Sequence, residues 1–491
     1  MSSSKQNLLR KIPAVELLLG EPPLQELIEI VPRRLVVNAA RAAVERARKT
    51  ILEGKQDDVE EKTLRELIVA DAVKRARFAS ESQYRKAINA TGVILHTGLG
   101  RAVLAREVID HITTELAGYS LLQIDLETGR RGARAPRIEQ LLRELTGAQA
   151  ATIVNNNAAA TSIVLNTVAR GKEVIVSRGQ LVEIGGSFRL PEVMEASGAK
   201  LVEVGTTNKT HPRDYENAVG ENTAALLRVH PSNYKISGFT SEVPLETMIG
   251  IARKHNLVLI DDVGAGSLID VTRFGFQQEP TLQDSVRAGS DLITSSADKL
   301  IGAGQGGIVL GRKDLIDAVR KNPLARILRP GKLTLAALET TLALFLDPDD
   351  AIRRVPTLML LARPFEEISA QADRIAAALK ERGVAAEISV CDGSSQMGSG
   401  SLPTQNLPTR LVALSPLAES AAEVARRLRQ GKPSVVTRVK TDQVLIDPRT
   451  LLEGDEALLI EAVAGVCTEN AGYDNTSPTG SRLLWRWNRS T

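Results

Sequence analysis

Apolar residues in the middle of the chain form short runs that alternate with stretches of helical spacing. Each run is bounded by polar or glycine-rich residues, which is typical of a buried strand. The predicted strands lie at 151–154, 173–176, 200–204, 224–229 and 257–260. Helical stretches such as 158–169 separate them. The alternation predicts a large α/β domain at 81–345, with helices packed over a mostly parallel sheet.

The first 80 residues show only the helical spacing. A short amphipathic stretch lies at 12–19, and two longer ones that are rich in Ala and Arg lie at 32–53 and 62–79. Basic residues cluster on the two longer predicted helices, at Arg41, Arg46, Arg48, Lys49, Lys74, Arg75 and Arg77. Such clusters form either a solvated helix face or a contact surface for a polyanion. We therefore predict an N-terminal helical domain at 1–80, with the polyanion surface as one of two interpretations.

Beyond residue 345 the pattern changes again. A long helical stretch at 364–382 precedes short strand-like runs at 387–390, 410–414 and 443–446. Gly, Ser and Pro are frequent at 392–408, which predicts a loop there. These features predict a smaller C-terminal α/β domain at 346–469. Residues 470–491 are polar and rich in Gly, Ser and Thr, and they predict a mobile tail.

Composition narrows the class of protein. The chain has 491 residues, 43% hydrophobic and 25% charged, as expected for a globular enzyme with a large core. Aromatic residues make up only 3%, which argues against a protein that binds nucleic acid mainly by stacking bases. Two distant cysteines, Cys391 and Cys467, form neither a disulfide framework nor a zinc site. With a polar start and no membrane-length apolar stretch, they predict a soluble cytoplasmic protein.

Lys299 lies in the most informative segment of the chain. Residues 291–302 read Asp-Leu-Ile-Thr-Ser-Ser-Ala-Asp-Lys-Leu-Ile-Gly, and the segment 302–307 contains four glycines. A lysine that forms a Schiff base must be partly desolvated and held at a strand end, with small neighbours that leave room for a flat cofactor. A solvated surface lysine has no need of these neighbours. The segment indicates that Lys299 binds an aldehyde cofactor covalently.

An acidic pair, Asp261 and Asp262, follows the predicted strand at 257–260. A carboxylate next to a pyridine nitrogen keeps the nitrogen protonated, which makes the ring an electron sink. Asp262 is the preferred candidate because it borders the small residues that follow, Gly264 among them. The alternative is a magnesium-binding acid, but no phosphate-loop motif accompanies it.

Three asparagines, Asn155, Asn156 and Asn157, connect the predicted strand at 151–154 to a helix that begins near Ala158. A helix N-terminus offers unpaired amides and a positive dipole end, and small residues let a phosphate come close. Asparagine is also a favoured helix cap, so capping alone is the alternative. In the order asparagine loop, acid and lysine, the three segments together indicate pyridoxal phosphate (PLP) chemistry.

Arginines form a further set of candidates. Arg101 closes the segment Thr-Gly-Leu-Gly-Arg, and Arg326 and Arg329 are spaced so that a helix would present both on one face. Paired guanidinium groups suit a tetrahedral oxyanion, with ordinary surface ion pairing as the alternative. His230 and Asn233 follow the end of a predicted strand, where they either contact the cofactor or pack in the core.

Longer segments resemble the bacterial selenocysteine synthase family, the L-seryl-tRNA(Sec) selenium transferases. The resemblance runs from the Ile-Pro-Ala-Val start at 12–15 to about residue 465, which is nearly the whole chain. Beside the segments of Asp262 and Lys299, the matching stretches are 88–101, 125–129, 154–160, 176–188 and 204–210. Several of these strings are specific to the family rather than to PLP enzymes in general.

The resemblance implies a fold-type-I PLP-dependent transferase with an added N-terminal helical domain that binds tRNA. It implies that Lys299 is the Schiff-base residue, Asp262 the pyridinium partner and Asp298 an acid that assists catalysis. The residues implied to bind the selenophosphate anion are Arg101, Arg326 and Arg329. The implied reaction converts seryl-tRNA(Sec) to selenocysteinyl-tRNA(Sec) by loss of water and addition of selenium. The implied assembly is a homodecamer built from dimers.

The chain departs from the family pattern at a few positions. Gly98 stands where the family commonly has Asn, Ala297 where it has Gly, and Gly304 where it has Pro. Arg137 replaces the His of a His-Val-Glu step. None of these changes removes a charged candidate residue.

Two other functions remain open at this point. One is a PLP lyase of the same fold that acts on a free amino acid or amino sugar. The other is a catalytically silent tRNA-binding paralogue. The N-terminal helical region argues against the first, and the presence of both Lys299 and Asp262 argues against the second.

Overall fold

A computed structural model describes residues 3–53, 60–82, 84–186 and 188–467, without the side chains of residues 3, 4, 403 and 404. The chain divides into two compact units, Met1–Lys86 and Ala87–Thr491. The tail predicted at 470–491 lies outside the described residues. Within the described ranges, every helix is too short or too polar to cross a bilayer.

The first unit is helical in the part that the structure describes. Its helices are α1 Ser3–Arg10, α2 Val15–Leu19, α3 Pro22–Ile30, α4 Arg33–Leu52 and α5 Glu61–Ser80. Ala40 of α4 and Ala72 of α5 are fully buried, and such small residues allow two helices to pack closely. Asp71 of α5 pairs with Arg46 at 3.4 Å and with Arg75 at 2.9 Å. Part of the basic cluster is therefore neutralised within the unit.

The second unit contains both strands and helices. Its described strands are β1 Ala87–Asn89, β2 Ala150–Val154, β3 Glu173–Ser177, β4 Glu183–Ile184, β5 Phe188–Arg189, β6 Lys200–Val204, β7 Thr223–Val229, β8 Val258–Gly264, β9 Leu292–Ser296, β10 Gly307–Gly311, β11 Ala386–Gly398, β12 Ser401–Pro416, β13 Ser434–Val436, β14 Arg438–Lys440 and β15 Gln443–Ile446. Its described helices are α6 Arg106–Glu115, α7 Pro136–Thr146, α8 Asn157–Ala169, α9 Leu190–Ser197, α10 Pro212–Ala218, α11 Leu245–Lys254, α12 Leu282–Ala288, α13 Lys313–Lys321, α14 Leu324–Ile327, α15 Lys332–Leu344, α16 Pro348–Arg354, α17 Pro356–Ala362, α18 Phe365–Glu381, α19 Ala421–Gln430 and α20 Asp455–Val466.

The central sheet has the strand order β2-β10-β9-β8-β7-β3-β6. Strand β10 is antiparallel to both of its neighbours, and the other pairs are parallel. Successive side chains of β10 enter different cores, since Ile308 and Leu310 lie in one cluster and Val309 in another. Helices cover both faces, which explains why the strands are continuous apolar runs. The predicted α/β fold and its strands are confirmed.

The carboxyl ends of β2, β7, β8 and β9 lie along one edge of this sheet. They lead respectively into Asn155, His230, Ala265 and the turn that carries Lys299. This edge is where open α/β sheets form ligand crevices.

A second sheet has the order β11-β12-β15-β14. The loop predicted at 392–408 is wrong, because β11 and β12 pair through this region, with Ser394 opposite Pro408. The small and polar residues that suggested a loop are bonded across the sheet instead. Ser395 and Thr409 each donate a hydrogen bond of 2.8 Å to the buried carboxylate of Asp447. That carboxylate, far away in the sequence, makes hydroxyl side chains compatible with a buried strand.

Candidate active site

Lys299 lies in a compact turn between β9 and β10. The amide of Gly302 donates to the carbonyl of Lys299 at 3.0 Å, and the amide of Ala303 donates to that of Ala297 at 3.0 Å. The lysine is only 5% exposed. Burial lowers the pKa of Lys299 below its ordinary value of 10.5, and the charge of Arg101 lowers it further, against the opposing effects of Asp298 and Asp262. The turn therefore holds an amine that is neutral more readily than that of a surface lysine.

Arg101 and Asp298 form an ion pair beside this lysine. Arg101 Nη1 donates to Asp298 Oδ2 at 2.7 Å, and both side chains are largely shielded from solvent. Arg101 has a left-handed backbone, with φ 63°, and its Nε is buried without a partner among the described residues. A non-glycine residue in this conformation at a partly buried ion pair is consistent with a functional constraint. The pair brings a guanidinium group next to the candidate catalytic amine.

Asp262 lies near the end of β8 and is 3% exposed. Its Oδ1 accepts from Asn157 Nδ2 at 2.9 Å and from the Gly264 amide at 3.1 Å, and its Oδ2 accepts from Thr161 Oγ1 at 3.0 Å. Burial raises the pKa of Asp262, and these hydrogen bonds oppose that rise. A nearby positive charge would stabilise the ionised carboxylate in this position.

The asparagine run begins α8 at the sheet edge. Asn156 caps the helix, since its side chain accepts from the Ala159 amide at 2.9 Å. The amides of Asn157 and Ala158 have no hydrogen-bond partner among the described residues. Asn155 uses its own amide to bond the carbonyl of Leu328 at 2.9 Å. The run can therefore serve both purposes: Asn156 caps the helix, and the amides of Asn157 and Ala158 are available to an anion.

PLP fits the groups at this edge of the sheet. The free amides at the start of α8 suit its phosphate, the carboxylate of Asp262 suits its ring nitrogen, and the amine of Lys299 suits its aldehyde. Asn157 Oδ1 is buried without a partner among the described residues, so one further polar group remains to be satisfied. Three separate donor and acceptor sets thus match three separate parts of one cofactor.

His230 and Asn233 lie close to this site but have other contacts. The amide of His230 donates to the carbonyl of Asp262 at 2.9 Å, and its Nε2 is 3.2 Å from Glu279 Oε2. Burial lowers the pKa of His230 to about 4, so the ring is neutral at ordinary pH. Asn233 Nδ2 donates to the carbonyl of Glu183 at 2.8 Å. Their contact with the cofactor stays a prediction.

Arg326 and Arg329 are not joined to this cluster. Both are exposed, and among the described residues neither forms a hydrogen bond or ion pair with Arg101, Asp298 or Lys299. The prediction that both lie on one helical face is wrong, because α14 ends at Ile327 and Arg329 lies beyond it. Arg329 instead lies near Arg134, whose pKa is lowered by burial and then by the charge of Arg329. Their role in anion binding stays a prediction.

Two site residues were not identified from the sequence. Thr161 donates to Asp262 and lies one helical turn after Asn157, so the spacing from the asparagine run could have indicated it. Glu279 faces His230 from a loop far along the chain, and no local pattern marks it.

The sequence matches a family model. Residues 87–452 match the model described as L-seryl-tRNA selenium transferase, and residues 9–48 match a model described as selenocysteine synthase N terminal. The chain belongs to the L-seryl-tRNA selenium transferase family. Relatives named L-seryl-tRNA(Sec) selenium transferase include one from Alkaliphilus metalliredigens, 44% identical over 94% of this chain and 99% of its own. Another, from Desulfovibrio desulfuricans, is 45% identical over 93% of this chain and 97% of its own.

A solved structure of D-glucosaminate-6-phosphate ammonia-lyase is similar in fold. It has a TM-score of 0.54 and 21% identity, and the match covers 78% of this chain and 96% of that one. At this identity the similarity concerns the fold alone. It agrees with the fold-type-I architecture expected for this family.

The residues that depart from the family pattern differ in how deeply they are buried. Ala297 is fully buried, and Gly304 lies against Ala337, so both belong to the packing around the lysine turn. Gly98 lies beside the ring of His96 in the segment that leads to Arg101. Arg137 is exposed at the start of α7.

Covalent attachment of PLP to Lys299 is expected to persist to lower pH than attachment to an ordinary lysine. Only the neutral amine attacks an aldehyde, and the lowered pKa increases its neutral fraction at any pH below 10.5. The measurement is the initial rate at which borohydride traps PLP on Lys299 of the apoprotein, from about pH 6 to about pH 10. The pH at which this rate is half-maximal should be lower than for a lysine whose α-amine is blocked. A midpoint equal to that of the free lysine would contradict the effect of burial.

Proposed function

We propose that this protein converts L-seryl-tRNA(Sec) to L-selenocysteinyl-tRNA(Sec), with PLP as its cofactor and selenophosphate as its selenium donor. The observation that carries the proposal is the buried Lys299, with the Arg101–Asp298 ion pair and Asp262 all within electrostatic range. The membership of the chain in the selenium transferase family supports the choice of substrate.

PLP, when bound, supplies an electron sink for negative charge at the Cα of the seryl group, which permits loss of the β-hydroxyl. Lys299 provides the amine that takes the Cα proton, and its buried position favours the neutral form needed for this task. Asp262 would keep the ring nitrogen of bound PLP protonated, and its carboxylate is oriented by hydrogen bonds from Asn157 and Thr161. The packing of the lysine turn limits access of water to the amine.

Selenophosphate is an anion and needs a positively charged site close to the reacting carbon. Arg101 is the described arginine that reaches the lysine turn, where Asp298 orients its guanidinium group. Arg326 and Arg329 are assigned to the same anion as part of the proposal, on the family resemblance alone.

The first unit is proposed to bind the tRNA. Arg41 and Lys74 have no hydrogen bond or ion pair among the described residues of α4 and α5, so their charges are available to phosphates. The proposed location is the cytoplasm, which agrees with the two unpaired cysteines.

Assembly into a homodecamer built from dimers is also part of the proposal. Large apolar side chains are exposed in the segment before α7, at Tyr119, Leu121, Ile124 and Leu126. Exposed apolar residues grouped in one segment are typical of a protein–protein contact. The number of subunits rests on the family resemblance.

The decisive experiment is transfer of selenium by the purified holoenzyme. With selenophosphate, labelled selenium should become acid-precipitable on seryl-tRNA(Sec) and not on bulk seryl-tRNA. Cofactor-loaded protein that transfers no selenium, but releases ammonia from a free amino acid or amino sugar, would favour a lyase. Protein that binds tRNA without covalently binding PLP would favour a silent paralogue.

A further inference from the structure

The turn between β11 and β12 has an unusual composition for its shape. Gly398 pairs with Ser401, which leaves Ser399 and Gly400 as a two-residue turn. Their φ angles are 49° and 63°, both in the left-handed region. Such turns normally have Asn, Asp or Gly in the first central position, because other side chains are disfavoured there. A serine in this position needs a compensating interaction.

The hydroxyl of Ser399 provides that interaction. It donates to the carbonyl of Leu95 at 2.6 Å and lies 3.0 Å from the hydroxyl of Thr97. Main-chain bonds reinforce the contact, since the amides of Leu95 and Ile94 donate to Met397 and Gln396 at 2.7 and 3.0 Å. The hairpin of the second sheet is therefore bonded directly to the segment 94–97.

That segment leads straight to Arg101. Thr97 begins a short 3-10 turn, and the amide of Arg101 donates back to the carbonyl of His96 at 3.1 Å. The guanidinium group of Arg101 then reaches Asp298, next to Lys299. A displacement of residues 95–97 would thus move the residue proposed to bind the selenium donor.

The turn is also confined on both sides. A Cβ at Gly398 would lie 2.4 Å from Val93 Cγ1, and a Cβ at Gly400 would lie 2.7 Å from Asn233 Cβ. The tip of the hairpin therefore fills the space between the Arg101 segment and the loop after β7. Close packing of this kind transmits position from one element to the next.

We propose that Ser399 is a positioning residue that fixes the 95–101 segment, so that Arg101 meets Asp298 in the geometry required to bind the donor anion. The inference rests on the proposed anion-binding role of Arg101. Ser399 itself touches neither the lysine nor its acid in any described hydrogen bond, so its effect on the reaction passes through Arg101.

The test is Ser399→Gly in the full-length holoenzyme, because glycine removes the hydroxyl and is compatible with a left-handed φ. We expect the KM for selenophosphate to rise about fivefold to tenfold, the effect of losing about one hydrogen bond. The KM for seryl-tRNA(Sec) and the absorbance of the bound cofactor should be unchanged. Hydrogen–deuterium exchange should become faster in the peptide 93–101.

The chain supplies a matched control in Thr441→Gly. Thr441 and Asp442 form the two-residue turn between β14 and β15 in the same sheet, with φ angles of 50° and 54°. Thr441 is exposed, so the same substitution in the same kind of turn should change neither the selenophosphate KM nor exchange at 93–101.

Two outcomes would overturn the inference. One is a Ser399→Gly enzyme with unchanged donor KM and unchanged exchange at 93–101. The other is a general loss, in which cofactor binding and the KM for both substrates change together, as expected for a purely structural residue. If the wild-type protein transfers no selenium, the proposed function fails separately. In that case, the affinity for inorganic phosphate measured by calorimetry and the exchange rate at 93–101 still distinguish Ser399→Gly from Thr441→Gly.

Discussion

Lys299→Ala is expected to abolish covalent binding of PLP and to lower selenium transfer by about 10⁴-fold, the upper range for loss of a positioned proton-transfer group. The substitution removes the amine that the turn after β9 buries next to Arg101 and Asp298. Loss of the visible absorbance of the cofactor and of the borohydride-trapped peptide would be measured together with turnover. Because an alanine is smaller and uncharged, the turn itself should remain folded.

The control for this variant is chemical rescue. A small primary amine added to the Lys299→Ala protein should restore part of the turnover, because it replaces the lost side-chain amine. An unfolded variant would not be rescued in this way. Lys313→Ala, which removes an exposed lysine at the start of α13, should leave labelling and activity intact. Borohydride labelling at a different lysine in the wild-type protein would show that the assignment of Lys299 is wrong.

Asp262→Asn should have the second largest effect, lowering turnover on the order of 100-fold or more. The amide keeps the size of the carboxylate. Its oxygen can still accept from Asn157 and the Gly264 amide, and its NH2 group can donate to the hydroxyl of Thr161. It removes the negative charge that would keep the cofactor ring protonated. We therefore expect that PLP still attaches covalently to Lys299 and that only kcat falls. Borohydride mapping checks the attachment, and steady-state assays of the same samples check kcat.

The neighbouring acid provides a matched control for charge and burial. Asp261 is fully buried like Asp262 but accepts from Arg228 at 2.8 Å and from Ser285 at 2.7 Å. Adjacent strand residues face opposite sides of the sheet. Asp261→Asn should cost about 3–5 kcal/mol of unfolding free energy, because it leaves a partly buried arginine unpaired, without lowering turnover per folded enzyme. If Asp261→Asn lowered turnover and Asp262→Asn lowered only stability, Asp261 and not Asp262 would be the partner of the pyridine nitrogen.

The sequence was informative wherever the deciding pattern is local. The buried strands appear as apolar runs. Lys299 and the asparagines follow strands that end at the same edge of the sheet, and Asp262 lies near the end of another. Chain order alone was enough to group them. Their chemical roles remain predictions that the variants above would test.

The missed features depend on residues that are distant in the sequence. The hairpin of β11 and β12 was predicted as a loop, because the buried carboxylate of Asp447 that bonds its hydroxyl groups lies beyond the segment. The spacing of Arg326 and Arg329 predicts a shared helical face, but α14 ends before Arg329, and the carbonyl of Leu328 accepts from the amide of Asn155. Neither partner could be identified from spacing within the segment itself.

The unequal surroundings of two similar turns also matter for protein engineering. The turn at Thr441 and Asp442 is exposed, whereas the one at Ser399 and Gly400 is half-buried, with Ser399 bonded to Leu95 and Gly400 close to Asn233. An epitope tag or a fluorophore-bearing loop therefore has room at 441–442 and none at 399–400. A reporter inserted at the open turn would label the second sheet and leave the hydrogen bonds of Ser399 to the 95–97 segment in place.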